Sequence, residues 1–139
     1  MSIHAADQII KRLTFESSGK VDFQNAKSLF RVQVKAASYT VTEADSGSIF
    51  TTYGGSAAIT FTLPSNPKRG LWYLFVNAVN QNMVITGDST ELITFNNATA
   101  TSVTYSTGSQ KIGATCLVFA DGNSFYALNL VDSCADTIA

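Results

Sequence analysis

The chain has 139 residues and a formal net charge of −1, and charged residues make up only 14% of it, against about 25% in an average soluble domain. A chain of this length can bury a core without disulfides or metals, and its two cysteines are too few for a disulfide framework. The near-zero net charge argues against a nucleic-acid binder, and no apolar run is long enough to span a membrane. We therefore predict neither a nucleic-acid nor a membrane partner.

The few charges are unevenly distributed along the chain. Residues 1–35 carry six basic and three acidic side chains, whereas residues 36–139 carry three basic and seven acidic ones. This asymmetry favours an acidic partner for the first 35 residues, although so few charges are also compatible with chance. The scarcity of charge fits either a surface used in subunit contacts or simply a threonine-rich sandwich.

Helix signals are almost absent from the first third of the chain. Residues 5–13 fit either a short helix or the approach to a strand, and residues 13–23 fit a hairpin or an extended arm. Apolar and polar side chains then alternate, which predicts a half-buried strand with an outward basic face. The apolar positions are Phe30, Val32 and Val34, and the polar positions are Arg31, Gln33 and Lys35.

From residue 38 onward the pattern has a period of two, which is typical of strands. The pattern predicts strands at residues 38–42, 49–53, 59–63, 71–76, 83–86, 92–95, 103–105, 112–120 and 125–130. The continuous apolar run at 71–76 predicts a central strand buried on both faces, and Asp121-Gly122 predicts a hairpin.

Short strands separated by frequent turn signals indicate an all-β protein. We predict an antiparallel β-sandwich or a jelly-roll-like barrel with an extended N-terminal arm. The predicted divisions are an arm or hairpin at residues 1–36, the β-domain at 37–131 and a polar tail at 132–139.

The sequence offers little catalytic chemistry. The only histidine, His4, lies outside the predicted strands, so neither a metal site built on several histidines nor a rigid catalytic triad is expected. The carboxylates of the body fall mostly at turns, where a structural role outweighs that of a glycosidase pair. They are Glu43, Asp45, Asp88, Glu91, Asp121, Asp132 and Asp136. We predict no enzymatic activity, no cofactor and no metal.

Three tyrosines lie in threonine-rich predicted strands. Tyr39, Tyr53 and Tyr105 are candidates for interface aromatics or for a glycan-binding platform. Packing in the core is the more frequent role of such residues, and it remains the alternative for each.

Residues 39–130 resemble a domain that recurs in tailed-phage virion proteins. The resemblance is carried by Tyr-Thr-Val-Thr at 39–42, Ile-Thr-Phe-Thr-Leu-Pro at 59–64, Ile-Thr-Gly-Asp at 85–88 and Ala-Asp-Gly-Asn-Ser-Phe-Tyr at 120–126. Proteins of this kind are capsid decoration (cement) proteins, head fibres and tail fibres. The resemblance implies a trimeric structural protein, and it transfers no catalytic or ligand residue.

We therefore expect a non-enzymatic decoration protein, made in the host cytoplasm, that stabilises the shell from the outer capsid surface of the virion. Its partners would be the major capsid protein and two further copies of the chain. The expected capsid contacts lie in the arm and are Ile9, Ile10, Lys11, Arg12, Lys27, Arg31 and Lys35. The alternative is a receptor- or glycan-binding module of a head or tail fibre, which would use the loops at 77–82 and 96–99. A glycan-cleaving enzyme is a third hypothesis, and it would need a carboxylate pair in a cleft.

Overall fold

The computed structural model describes residues 30–87, 92–94, 98–131 and 136–138. These residues form two β-sheets that enclose one hydrophobic core, and their helical content is the single 3-10 turn Glu43–Asp45. The prediction of an all-β sandwich is confirmed. None of the described helical residues forms a helix long and apolar enough to cross a membrane.

The described strands divide unequally between the two sheets. Sheet A has the spatial order β1 (Arg31–Val34), β3 (Ser48–Thr51), β5 (Trp72–Val76), β10 (Thr115–Ala120), β11 (Phe125–Asn129), β7 (Leu92–Thr94) and β8 (Ala98–Ala100). Sheet B has the spatial order β12 (Asp136–Ile138), β9 (Ser102–Tyr105), β6 (Met83–Thr86), β4 (Ile59–Thr62) and β2 (Tyr39–Thr40).

The first six strands form a coil in which successive strands alternate between sheet A and sheet B. Strands β1, β3 and β5 lie side by side in sheet A, while β2, β4 and β6 lie side by side in sheet B, and all neighbours within each set are parallel. Parallel neighbours require a crossover connection. Here the crossover is a strand of the opposite sheet, so no helix is needed.

The predicted antiparallel arrangement is therefore only half right. Five of the ten strand pairs among the described residues are parallel. The others, including β5 with β10 and β6 with β9, are antiparallel. Both sheets are open, which distinguishes the fold from a closed barrel, and the parallel winding separates it from an antiparallel jelly roll.

The second half of the chain contains the predicted hairpin. Strands β10 and β11 are antiparallel, and the turn between them uses Gly122 with φ 104°. That φ value lies in the left-handed region, which favours glycine. The strand predicted at 112–120 begins only at Thr115, because Gly113 turns the chain with φ 91° and leaves Ile112 exposed.

Aromatic rings join the two sheets at the centre of the core. Phe75 of sheet A lies 4.8 Å from Phe61 of sheet B and 5.3 Å from Phe50 of sheet A, measured between ring centroids. Cys116 is also fully buried, as expected for a small apolar side chain. These inward positions alternate with outward ones along each strand, as the period of two requires.

The β-sandwich includes residues on both sides of the predicted domain at 37–131. Strand β1 lies before the boundary expected at residue 36 and pairs with β3. Strand β12 lies in the predicted polar tail and pairs with β9. Both segments belong to the sheets because their backbones complete hydrogen-bonded ladders. The helix or strand expected at 5–13, the hairpin at 13–23 and most of the arm lie outside the described residues.

Candidate interaction surface

The outer face of sheet A is apolar across six strands. Successive residues of a strand point to opposite faces, so the neighbours of the buried Phe50, Phe75 and Val118 point outward. By this rule and the strand register, the apolar outward residues are Val32, Val34, Ile49, Trp72, Leu74, Val76, Ile93, Leu117, Phe119, Tyr126 and Leu128. The remaining described outward positions of sheet A are Thr51, Thr99 and Thr115. We call this surface the apolar face.

The apolar face is partly accessible among the described residues. Val32 and Val34 are 54% and 58% exposed, Trp72 and Leu128 are each 38% exposed, and the other seven apolar outward residues are half-buried. Phe30, next to β1, is also largely exposed. Large contiguous apolar patches are rare on monomeric proteins and typically mark sites of interaction. The surface is therefore the strongest candidate for a functional site.

One polar anchor lies beside the apolar face. The rings of Phe119 and Tyr126 stack at 4.9 Å and 3°, and the Tyr126 hydroxyl donates a hydrogen bond to Asp121 at 3.0 Å. Asp121 also accepts hydrogen bonds from the backbone N–H groups of Ser124 and Asn123. These backbone bonds, and then the bond from Tyr126, hold the pKa of Asp121 below its ordinary value. The hairpin turn thus fixes an aromatic pair on the face.

The outer face of sheet B has a different chemistry. Strand register aligns Thr40, Thr62, Thr86 and Ser102 in one row across the sheet. A second row aligns Thr60, Val84 and Thr104. One side of the sandwich therefore carries mostly hydroxyl groups, whereas the other side carries aliphatic and aromatic groups.

The polar side of β1 points the opposite way from the prediction. Arg31 donates from Nη1 to the backbone oxygen of Ala44 at 2.7 Å, and the Lys35 Nζ lies 3.5 Å from the centre of the Tyr39 ring. Val32 and Val34, which were expected to be half-buried, are exposed, as is Arg31 at the start of the strand, whereas Gln33 is half-buried. The reason is that the 3-10 turn Glu43–Asp45 gives the polar side chains partners on the body.

Asp45 organises that polar contact. Asp45 is only 4% exposed, and its carboxylate accepts hydrogen bonds from Gln33 Nε2 at 2.8 Å and from the Tyr39 hydroxyl at 3.0 Å. The backbone N–H and the hydroxyl of Thr42 both donate to it at 2.9 Å, and Arg31 Nη2 lies 3.6 Å away. Burial by itself raises the pKa of Asp45, but the hydrogen bonds from Gln33, Thr42 and Tyr39 together lower it below its ordinary value.

This lowered pKa predicts an acid-sensitive contribution to stability. A carboxylate with a lower pKa in the folded state stabilises the fold above its unfolded pKa of about 4, and that contribution is lost as the pH falls through the folded value. We expect the difference in unfolding free energy between the native chain and an Asp45→Asn variant to shrink as the pH drops below about 4. Urea denaturation at a series of pH values measures it, and a difference independent of pH would contradict the prediction.

The three candidate interface tyrosines do not form one surface. Tyr105 is buried in the core, so it is not available to a partner. Tyr39 is half-buried, with its hydroxyl on Asp45 and its ring 5.8 Å from Phe50. Tyr53 is 71% exposed. Of the predicted arm contacts, Ile9, Ile10, Lys11, Arg12 and Lys27 lie outside the described residues.

Three of the carboxylates in the described part of the chain have structural partners. Asp45 and Asp121 accept the hydrogen bonds described above, and Glu43 forms an exposed ion pair with Lys68 at 3.5 Å. Asp136 lies in β12, while Asp88, Glu91 and Asp132 lie outside the described residues. Within the described ranges, no three His, Cys, Asp or Glu side chains are grouped to hold a metal ion.

The sequence contains a signal for the apolar face that the predictions above did not use. Strand β10 carries Leu117 and Phe119 between its inward residues Cys116 and Val118, so it is apolar on both sides. Strand β5 is also apolar on both sides, but the prediction that both of its faces are buried is wrong, because Trp72 on the outer face is 38% exposed. A strand whose alternate residues are apolar on both sides is predicted to be covered on both faces. The described residues cover only one of those faces.

Comparisons with known proteins identify no relative of this chain. No family model, no curated protein and no solved structure matches it. The chemistry of the two outer faces and the resemblance in the sequence therefore remain the guides to function.

Proposed function

We propose that the chain is a non-enzymatic structural protein of a tailed-phage virion, which binds the outer capsid surface as a decoration protein and stabilises the shell. The observation that supports this most is the apolar face of sheet A, which has no charged residue at its described outward positions. Such a surface is suited to a lasting protein–protein contact.

The two-layer architecture also suits this function. The coil of β1–β6 pairs each inner strand with neighbours on both sides, and aromatic rings lock the two sheets together. A rigid body of this kind can present one face to its own assembly while another segment binds the shell. Repetition of weak shell contacts across several copies raises their combined affinity through effective concentration.

Two of the predicted capsid contacts also touch the body. Arg31 donates to the backbone oxygen of Ala44 and Lys35 lies over the Tyr39 ring, while the Arg31 side chain remains 55% exposed. The other predicted contacts in the arm are Ile9, Ile10, Lys11, Arg12 and Lys27. We propose all seven as the capsid contacts.

A fibre module that binds a receptor or glycan is the second candidate. The rows of hydroxyl groups on sheet B favour it, because hydroxyl side chains can donate to and accept from the hydroxyls of a sugar. The exposed Tyr53 could add a stacking surface. This function would not require many copies on each particle.

Copy number per virion tests the proposal. We expect quantitative mass spectrometry of purified virions from the encoding phage to find the chain in numbers comparable to the major capsid protein. A handful of copies per particle would favour the fibre module, and absence from the particle would overturn both candidates.

A charge-matched pair of variants tests the arm. We expect Lys11→Ala/Arg12→Ala/Lys27→Ala to weaken co-sedimentation with undecorated shells, and native binding to weaken as salt rises, because exposed charges are screened. The control Lys68→Ala/Arg69→Ala/Lys111→Ala removes the same three charges from the body and should bind nearly normally. Equal loss in both variants would contradict the assignment to the arm.

A further inference from the structure

We propose that the apolar face of sheet A is the surface through which copies of this chain associate with one another. The inference rests on the proposed function, since a decoration protein would reach the shell as this assembly. The contact itself involves no shell and can be measured on the purified chain.

The first support comes from the central strands. In β5, the inward Tyr73 and Phe75 alternate with the outward Trp72, Leu74 and Val76, so both faces of the strand are apolar. Strands with this composition are normally covered on both sides. The core covers the inner side, and the described part of this chain provides nothing over the outer side.

The second support is the size of the surface. Sheet A has seven strands, so six spacings of about 4.8 Å give a width of about 29 Å. The strands of sheet A have three to six residues, so an average strand of about four residues is roughly 14 Å long, which gives a flat area of about 400 Å². That flat area, which leaves out the relief of the side chains, is about two thirds of the roughly 600 Å² per partner at the low end of specific interfaces.

The third support is the charge of the surface, which identifies the occupant. No described outward position of sheet A carries a charged residue. Two identical faces of this kind can meet without burying an unpaired charge. A partner with a charged surface would lose hydration there and gain no ion pair in return. A second copy is also present at the same concentration wherever the chain is made.

Leu128→Lys is the variant that tests this contact. Leu128 points outward from β11 and is 38% exposed, so the variant places an ammonium group on the face without entering the core. The matched control is Val84→Lys, which makes an apolar-to-lysine change on the outer face of sheet B. Val34→Lys on the edge strand β1 serves as a second variant if Leu128→Lys fails to fold by circular dichroism.

Sedimentation equilibrium over a wide range of concentration gives the first measurement. We expect the native chain and Val84→Lys to associate as two or three copies. Leu128→Lys should raise the dissociation constant at least about 30-fold, as expected for a residue at the centre of an interface. A native chain that remains monomeric throughout would overturn the proposal, as would a folded Leu128→Lys that associates as the native chain does.

Trp72 provides an independent measurement on the face itself. It is the only tryptophan in the chain and points outward from β5. We expect its emission to shift to the red, and its quenching by acrylamide to increase, as the native chain is diluted through its dissociation range. A Trp72 that is shielded to the same degree at all concentrations, in a monomeric chain, would show that the chain itself covers the face and would overturn the proposal. Neither measurement depends on capsid binding, so failure of the proposed function would be seen separately.

Discussion

Replacing Phe75 by alanine is expected to lower the free energy of unfolding by about 4 kcal/mol, because it opens a cavity where the two sheets meet. The Phe75 ring is fully buried and lies within 5.3 Å of the rings of both Phe50 and Phe61, measured between centroids. Denaturant unfolding of the purified variant gives the measurement. If the alanine variant does not fold, Phe75→Leu should fold with a smaller loss.

Phe119→Ala is the matched control for this prediction. It removes the same side chain from the outer face of sheet A, where the ring is half-buried against Tyr126. At concentrations low enough to keep the chain monomeric, the loss of stability should be clearly smaller than for Phe75→Ala. Equal losses in the monomer would mean that the outer face is packed as tightly as the core, which would contradict the layer arrangement described above.

Asp45→Ala is the second change with a large expected effect, a loss of about 3 kcal/mol. It leaves the donors of Gln33, Tyr39 and Thr42 without their acceptor in a largely buried place. The nearby Glu43→Ala is the control. It removes only an exposed ion pair with Lys68 and should change stability by no more than about 0.5 kcal/mol. Thermal and urea unfolding of both variants distinguish the two outcomes, and similar losses would contradict the central role of Asp45.

The sequence predicted which segments are strands better than it predicted their partners. The alternation of Ile59, Phe61 and Leu63 and the Asp121-Gly122 turn are local signals, and both correspond to what the structure contains. Parallel pairing of β4 with β6 joins residues 24 positions apart, such as Phe61 and Ile85. No short-range pattern specifies that choice, because a strand with one apolar side can pair in either direction.

The orientation of β1 shows a second limit. Alternation identified its two sides correctly, but it could not tell which side faces the body. Residues 31–35 turn their polar side inward because Asp45, which lies 12 positions after Gln33, supplies a buried acceptor. The candidate site followed from the same fact, since Val32 and Val34 then extend the apolar face to the edge of the sheet.

The parallel start of the coil has a mechanical consequence. Strands β1, β3 and β5 run in one direction, and β1 is the strand through which residues 1–29 connect to the body. A pull along β1 from the N-terminal segment would act on all the hydrogen bonds between β1 and β3 together, including that from Lys35 to Thr51. These hydrogen bonds would be loaded in shear at the same time, so they would not break one after another. A body held by its N-terminal segment under such a load would resist detachment more strongly than one attached through a hairpin that can peel.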